Sequence, residues 1–276
     1  MRYLTVVKFS VIRYIQVDLK YKFQLLTDAV WFSIDILTFT ILGGIFDTLA
    51  DPKLLLEAGI DYNFKNFLLV GVLFWAFFHR SYEDTVNNIP EEASRGTIGF
   101  LVTNNINIST LLIARNIASS VKTAVMTVVF IFPPLLLLGV FRDISIYDLP
   151  YILISFAICW FFMLAVSVMI SSLNIIFKRI TPLALMILYG LKVFSGYYFP
   201  LEVVNYEYGN ITGPFKAIPI VKGLYLVRDL VANKNTDMMA TFSSMIIGTF
   251  LMLIVAYAIY KFLERVSQKR GSLEFY

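Results

Sequence analysis

Two ionisable residues lie deep inside apolar stretches of the sequence. Lys192 lies between Leu191 and Val193, and Asp35 lies in an apolar run that begins near residue 29. A charge at the centre of a membrane-spanning helix costs about 2.5–3.5 kcal/mol on insertion scales, so such residues face protein or water. We therefore predict that Lys192 and Asp35 line a translocation pathway. The alternative for Lys192 is that its long side chain reaches the nearby external end of the span.

Other charged residues occur nearer the ends of apolar stretches. Arg115 and Lys122 are seven residues apart, as are Asp28 and Asp35, so each pair shares one face of a helix. We expect Arg115 and Lys122 to anchor their helix at the membrane interface. Attraction of phosphate groups or docking of a partner is the alternative. Asp28 is likewise expected at the interface.

The residue content argues against most kinds of catalytic and metal-binding site. His79 is the only histidine and Cys159 the only cysteine, so no metal site of usual ligand spacing and no intrachain disulfide is expected. The sequence contains no H-E-x-x-H, G-x-S-x-G or G-x-x-x-x-G-K-[ST] motif. We expect a protein that is not an enzyme and binds no metal or cofactor itself. Nucleic acid is not an expected partner, because the basic residues lie at the ends of apolar segments.

The amount of apolar sequence exceeds what a soluble domain of this length buries. Of 276 residues, 58% are hydrophobic and 15% are charged, and the mean hydropathy is +0.75, whereas soluble domains are about 45–50% apolar and about 25% charged. A span needs about 20 predominantly apolar residues. We predict an all-α membrane protein with six transmembrane helices, at residues 28–49, 64–82, 110–140, 149–173, 181–199 and 239–262. Pro133-Pro134 predicts a kink in the third.

The residues before the first span predict a separate helix. Within 1–24, basic and polar residues that include Arg2, Arg13 and Lys20 fall on one side of a helix, and apolar residues fall broadly on the other. This pattern is typical of an amphipathic helix that lies in the membrane interface. No cleavable signal peptide is expected, because the first long apolar run begins too far along the chain.

The distribution of Lys and Arg predicts the orientation of the chain. These residues are more frequent in the segments on the same side as the N-terminus. By the positive-inside rule, both termini and the connections 83–109 and 174–180 are cytoplasmic, and the connection 200–238 is external. We expect one multi-pass domain, 1–276, in the cell membrane, with lipids around it.

The cytoplasmic connection 83–109 combines helix signals with apolar residues outside the predicted spans. A proline can begin a helix there, and Glu91 and Glu92 suit its first turn. Gly96 interrupts the helix, and apolar residues follow it. We predict that 88–103 docks on another protein, with Glu92 in an ion pair either with Arg95 or across the interface. A solvated loop with a helix cap is the alternative.

This connection resembles the segment before the third span in type-2 ABC exporter permeases. That family shows an acidic residue, Arg-Gly-Thr, a Leu-rich stretch and a small polar turn. The matching residues are Glu92, Arg95, Gly96, Thr97, Leu101 and Thr103, and Asn104 replaces the family's usual proline. Residues 195–201 are similar to its Ser-Gly-x-x-Phe-Pro element, and 215–220 to its apolar turn around a proline. With the spans and long connections, the resemblance covers nearly the whole chain.

The resemblance implies a function, partners and site residues. It implies a permease that exports a drug, lipid or polysaccharide, as a homodimer or as a heterodimer with a paralogue. ATP and Mg²⁺ would bind to separate ATPase subunits, whose motion would be coupled through Glu91, Glu92, Arg95, Gly96 and Thr97. Residues 200–238 would re-enter the membrane as short helices after a break at Gly196 and Pro200. The alternatives are a secondary transporter, whose usual inverted repeat we do not find, or another polytopic membrane protein without an ATPase partner.

Overall fold

The computed structural model describes residues 2–49, 63–104, 107–142, 144–177, 180–234 and 236–270. Within these ranges the chain is helical and has no β-strand, which confirms the all-α prediction there. The helices are α1 Arg2–Lys20, α2 Lys22–Leu49, α3 Phe64–Val86, α4 Asn88–Ser94, α5 Ile98–Thr103, α6 Ile108–Met126, α7 Phe132–Leu137, α8 Leu149–Leu173, α9 Thr181–Phe194, α10 Leu201–Tyr208, α11 Pro219–Val231 and α12 Met238–Arg270.

Four helical stretches are long and apolar enough to cross a membrane: Lys22–Leu49, Ile108–Leu137, Leu149–Leu173 and Met238–Ser267. They coincide with the first, third, fourth and sixth predicted spans and fit a transmembrane protein. The other two predicted spans differ in character. α9 has 14 residues, about 21 Å of helix, against a hydrocarbon core of about 30 Å. α3 has 23 residues but carries charged residues in its last two turns. The number six stays a prediction.

α3 lies at the centre of the fold. Helices α2, α6, α8, α9 and α11 pack around it. Many of its large side chains are buried, and those of Phe67, Leu69, Phe74, Trp75 and Phe78 are 0–2% exposed. α2 and α12 instead expose large apolar side chains, such as Trp31, Leu37, Phe250 and Tyr257. Because α3 is surrounded by helices, its polar residues can be paired by protein groups rather than exposed to lipid.

The third predicted span is not one regular helix. α6 passes into a π-helical turn at Thr127–Ile131, directly before Pro133-Pro134, and α7 then ends at Leu137. Proline lacks the N–H that an α-helix needs, and local π-turns are one way in which helices accommodate such breaks. The helix ends earlier than predicted because Gly139 adopts a left-handed conformation with φ 72°, which is typical of a helix C-terminus.

α9 is the helix within the fifth predicted span, 181–199, and it ends five residues before the predicted end of that span. Gly196 has φ 74°, and backbone hydrogen bonds of the Schellman type close the helix before it. A Cβ at this position would lie 2.9 Å from the Tyr225 hydroxyl oxygen. Glycine is therefore required by conformation and by space. The chain then bends, and Pro200 precedes α10.

A helix forms within the predicted amphipathic segment, but part of its apolar side packs on protein. Tyr14 is 1% exposed. It packs with Val7, Val11 and Ile15 against Ala114 and Ala118 of α6. Protein therefore covers part of the apolar side that was expected to face lipid. The location of α1 in the membrane interface stays a prediction.

Candidate functional site

A cavity of about 510 Å³ lies between α2, α3 and α9. Both predicted pathway residues line it, Asp35 from α2 and Lys192 from α9. Its aromatic lining consists of Trp31, Phe32, Phe39, Tyr189, Tyr197 and Tyr198, and the end nearest the N-terminus of α2 is lined by Asp28, His79, Arg80 and Glu83. The cavity therefore combines apolar walls with ionisable groups.

Lys192 is surrounded by three aromatic rings. Its Nζ lies 5.0 Å from the ring centroid of Tyr197, 5.8 Å from that of Tyr189 and 5.9 Å from that of Trp75. Aromatic faces attract an ammonium group at such distances. Trp75 is fixed by a 2.9 Å hydrogen bond from Nε1 to Ser195 Oγ. The ammonium group therefore lies among these rings beside the cavity, and a role of Lys192 in a translocation pathway stays a prediction.

Asp35 lies in the same cavity without touching Lys192. The two charges attract each other electrostatically. Across the residues that the structure describes, however, no salt bridge within 4.0 Å joins them, and the Asp35 carboxylate accepts no hydrogen bond. The cavity thus presents a carboxylate from one helix and an ammonium group from another.

Six charged side chains from four helices meet at the end of the cavity. We call them the ionic cluster: Asp18 of α1, Asp28 of α2, Arg80 and Asp84 of α3, and Arg115 and Lys122 of α6. Arg80 lies 3.6 Å from Asp28 and 3.5 Å from Asp84. The two α6 cations each lie 3.0–3.6 Å from both Asp84 and Asp18. Each buried charge of the cluster has a partner of opposite sign, and Glu83 lies a further 3.7 Å from Arg80.

Arg115 and Lys122 are buried by protein as well as paired. Their side chains are only 6% and 9% exposed, because α1 packs along α6 and brings Asp18 to them. Asp28 likewise pairs with Arg80 of the same chain. The location of these residues at the membrane interface stays a prediction. Asp18 and Arg115 are 97 residues apart in sequence, so no local spacing signals their contact. The sequence signal for such pairing was that these charged residues occur in or beside apolar stretches.

The predicted coupling segment forms two short helices, α4 and α5, joined by a turn at 95–97. Gly96 has φ 68°. The N–H groups of Gly96 and Thr97 donate to the carbonyls of Ala93 and Glu92, both at 3.0 Å, which completes a Schellman motif. Among the described residues, no atom lies within 4 Å of where a Cβ at Gly96 would be. The positive φ, rather than lack of space among those residues, therefore requires glycine.

Glu92 connects the coupling segment to α1. The residue is 1% exposed, and its carboxylate accepts hydrogen bonds from Arg13 Nη2 at 2.7 and 2.8 Å and from the Thr97 hydroxyl. Burial opposes ionisation, but these hydrogen bonds and the Arg13 charge outweigh it and hold the pKa of Glu92 below its ordinary value. The ion pair between Glu92 and Arg95 does not form, because Arg95 instead lies 3.5 Å from Glu91.

The opposite side of the coupling segment is exposed. Phe100 is 70% exposed, and the side chains of Arg95 and Glu91 are 38% and 37% exposed. Aromatic residues and arginine are enriched at protein interfaces. The side chains of Leu101 and Thr103 lie outside the described part of the chain. The segment therefore has one side fixed to α1 and one side that is exposed.

The predicted re-entrant segment contains packed helices, α10 and α11. Arg228 of α11 is 4% exposed and donates to the carbonyl oxygens of Gly196 at 2.9 Å and Phe67 at 3.2 Å. Its guanidinium carbon lies 3.4 Å from the Phe67 ring centroid. Lys216 forms a 2.8 Å ion pair with Glu202. Arg228 therefore holds α11 against the break after α9, a role that its place in the connection 200–238 does not signal. The depth of this segment in a membrane stays a prediction.

The cavity, the ionic cluster and the coupling segment form one contiguous site. Asp28 and Arg80 belong to both the cavity lining and the ionic cluster. α1 carries both Asp18 of the cluster and Arg13, the partner of Glu92. Comparison of the sequence with protein-family models and with curated proteins gave no match.

Proposed function

We propose that this chain is the membrane permease subunit of an ATP-driven exporter, as its resemblance to type-2 ABC exporter permeases implies. The observation that carries the proposal is the Arg13–Glu92 ion pair, which fastens the coupling segment to α1. A docking surface that is fixed to a second helix can transmit movement into the helix bundle. ATP and Mg²⁺ would bind to partner subunits, because this sequence has no phosphate-binding loop.

An ATPase can act on the permease only through the surface that it contacts. The exposed side of the coupling segment, with Phe100, Arg95 and Glu91, is the surface that we assign to this contact. On the other side, separating Glu92 from Arg13 would leave a buried carboxylate without its cation, which costs free energy. Displacement of the coupling segment is therefore expected to move α1 with it.

Movement of α1 would reach the cavity through the ionic cluster. Asp18 moves with α1, and its partners Arg115 and Lys122 also contact Asp84. Arg80 continues the network from Asp84 to the cavity. The network supplies a continuous physical connection between α1 and the cavity, and the coupling it carries is a free energy that can be measured between the two sites.

The proposal includes a topology and an assembly. α3 and α9 complete six spans, with α10 and α11 folding back on the external side, and both termini lie in the cytoplasm of a cell with this chain in its plasma membrane. α3 can span because other helices cover its polar residues, and α9 can be short because α11 covers the chain beyond its end. Two permease chains, identical or paralogous, would assemble with two ATPase subunits.

A secondary transporter is the second candidate. The observation that favours it is Asp35 in the cavity close to the ionic cluster, because carboxylates in such positions carry protons or ions in secondary transporters. The two candidates differ in their source of energy. An exporter of the proposed kind requires a partner that hydrolyses ATP, whereas a secondary transporter requires an ion gradient.

Purification with native partners distinguishes the candidates. The chain should be isolated from its own membranes in mild detergent, and ATP hydrolysis should be measured before and after a salt wash that removes peripheral subunits. The proposal expects a co-purifying protein with a phosphate-binding loop, and an activity that is lost with it. Arg13→Met should impair the association or activity, whereas Lys8→Met, at an exposed position on the same helix, should not. Absence of any ATPase, with transport driven by a proton gradient, would establish the second candidate.

A further inference from the structure

The cavity between α2, α3 and α9 holds two opposite charges that do not neutralise each other by contact. Lys192 is attracted to three aromatic rings, and Asp35 accepts no hydrogen bond within the described ranges. A pair whose purpose is structural is expected to close into a salt bridge, because contact offsets the desolvation of both charges. Charges held apart on two walls leave room for a ligand that carries both signs.

The walls around the two charges suit an apolar group. Trp31, Phe32 and Phe39 line the α2 side, and pockets for small molecules are typically apolar with a few placed polar groups. Trp31 is 62% exposed, Tyr189 48% and Tyr198 38%, so the cavity reaches the protein surface between α2 and α9. The exposed face of α2 beside it is apolar. An amphiphile can therefore place its polar end in the cavity and its chain outside.

We propose that this cavity binds the headgroup of a zwitterionic lipid, with its anionic group at Lys192 and its cationic group at Asp35. The inference rests on the proposed function in that it names the class of molecule that the exporter would carry. An anionic lipid would satisfy Lys192 but place a negative charge near Asp35. A cationic amphiphile would satisfy Asp35 but place a positive charge near Lys192. A soluble zwitterion would satisfy both charges but leave the aromatic wall and the lateral opening unused.

Binding can be measured on the full-length chain in nonionic detergent. The probe is lysophosphatidylethanolamine with a brominated chain, which quenches tryptophan fluorescence on contact. Trp31 lines the cavity, whereas Trp160 hydrogen-bonds to Ser120 elsewhere in the bundle. Competitors are unbrominated lysophosphatidylethanolamine, lysophosphatidylglycerol of the same chain length, and phosphoethanolamine without a chain. We expect saturable quenching, with the zwitterionic lysolipid competing about tenfold better than the anionic one, as expected for one charge-assisted contact.

Variants test the assignment of each charge. Lys192→Met and Asp35→Asn should each weaken binding about tenfold, and Lys222→Met, the same change on α11 outside this cavity, should leave it unchanged. If the charge variants do not fold, Thr38→Trp provides a steric test, because Thr38 lines the cavity. Thr48→Trp, at an exposed position farther along α2, is its matched control.

Several results would overturn the inference. Equal competition by lysophosphatidylglycerol would show that the cavity does not prefer a zwitterionic headgroup. Equal competition by phosphoethanolamine would show that binding does not need the lipid chain. Wild-type affinity in both Lys192→Met and Asp35→Asn, or in Thr38→Trp, would place binding elsewhere. The assay uses the chain without ATP or partners, so its failure would leave the exporter proposal in place. Failure to find an ATPase would equally leave a positive binding result in place.

Discussion

The Arg13–Glu92 ion pair offers a quantitative test of how the coupling segment is attached. The change is a double-mutant cycle with Arg13→Met and Glu92→Gln, which removes one charge at a time and then both. Arg13→Met should be the more destabilising single change, because it leaves the buried Glu92 carboxylate without its cation. Glu92→Gln leaves Arg13, which is 36% exposed and can be solvated by water.

The expected size of the effect follows from the burial of the two groups. Removing one partner of a fully buried pair costs about 3–5 kcal/mol. Because water can approach the Arg13 side of this pair, we expect Arg13→Met to lower the free energy of unfolding by about 1–3 kcal/mol. The double variant carries no unpaired charge, so the coupling energy should be about 1–2 kcal/mol.

The assay is unfolding of the purified chain in detergent micelles at neutral pH, followed by circular dichroism. The matched control is the exposed pair of Arg95 and Glu91, changed to Met and Gln. Its coupling energy should be about 0.3–0.5 kcal/mol, as for other exposed i,i+4 pairs. A coupling energy for Arg13 and Glu92 no larger than that of the control would refute the claim that this pair fastens the coupling segment.

Three further predictions concern acid, glycine and a buried arginine. In the folded chain the pKa of Glu92 lies below its ordinary value of 4.5. The ionised Glu92 carboxylate therefore stabilises the fold fully above pH 4.5, and this stabilisation is lost as the pH falls through the folded pKa. The unfolding free energy of Glu92→Gln should depend less on pH than that of wild type. Gly96→Val and Gly139→Val should each lower the free energy of unfolding by about 1–2 kcal/mol, because both positions have positive φ. Only Gly96→Val should also lower the ATP hydrolysis of the assembled complex. An equal loss of ATP hydrolysis in both variants would argue against a coupling role of Gly96. Arg228→Met should lower the unfolding temperature, because the carbonyls of Gly196 and Phe67 lose a charged donor. Hydrogen bonds to a charged group contribute about 1.5–3 kcal/mol each. An unchanged unfolding temperature would show that this contact is not stabilising.

Sequence patterns located the spans best where hydrophobicity alone determines the helix. The bounds of α8 coincide with the prediction 149–173, because its apolar run has a proline near one end and polar residues at the other. The fifth span was placed less well, because apolar side chains continue to residue 199 whereas the backbone turns at Gly196. A hydropathy pattern does not report φ, so helix ends set by a left-handed glycine are missed unless the glycine itself is given weight.

Pairing between distant residues could not be predicted from sequence. Asp35 and Lys192 were each singled out because a charge in an apolar run is costly, but nothing in the chain indicates that α2 and α9 bring them into one cavity. Glu92 was expected to pair either with Arg95 or across an interface with a partner, and the sequence does not indicate a partner on the N-terminal helix. Tertiary packing of α1 supplied Arg13 instead, from 79 residues away.

Photo-crosslinking in native membranes tests whether the coupling segment contacts an ATPase. A benzophenone amino acid should be introduced at Phe100, which is 70% exposed, and separately at Tyr147, which is 81% exposed and lies beyond the opposite end of the α6–α7 stretch. After irradiation of native membranes, we expect the position of Phe100 to form an adduct with a protein that carries a G-x-x-x-x-G-K-[ST] loop, and the position of Tyr147 to form none with such a protein. If the position of Phe100 forms no adduct with such a protein in cells where the complex is assembled and active, the coupling segment does not contact an ATPase.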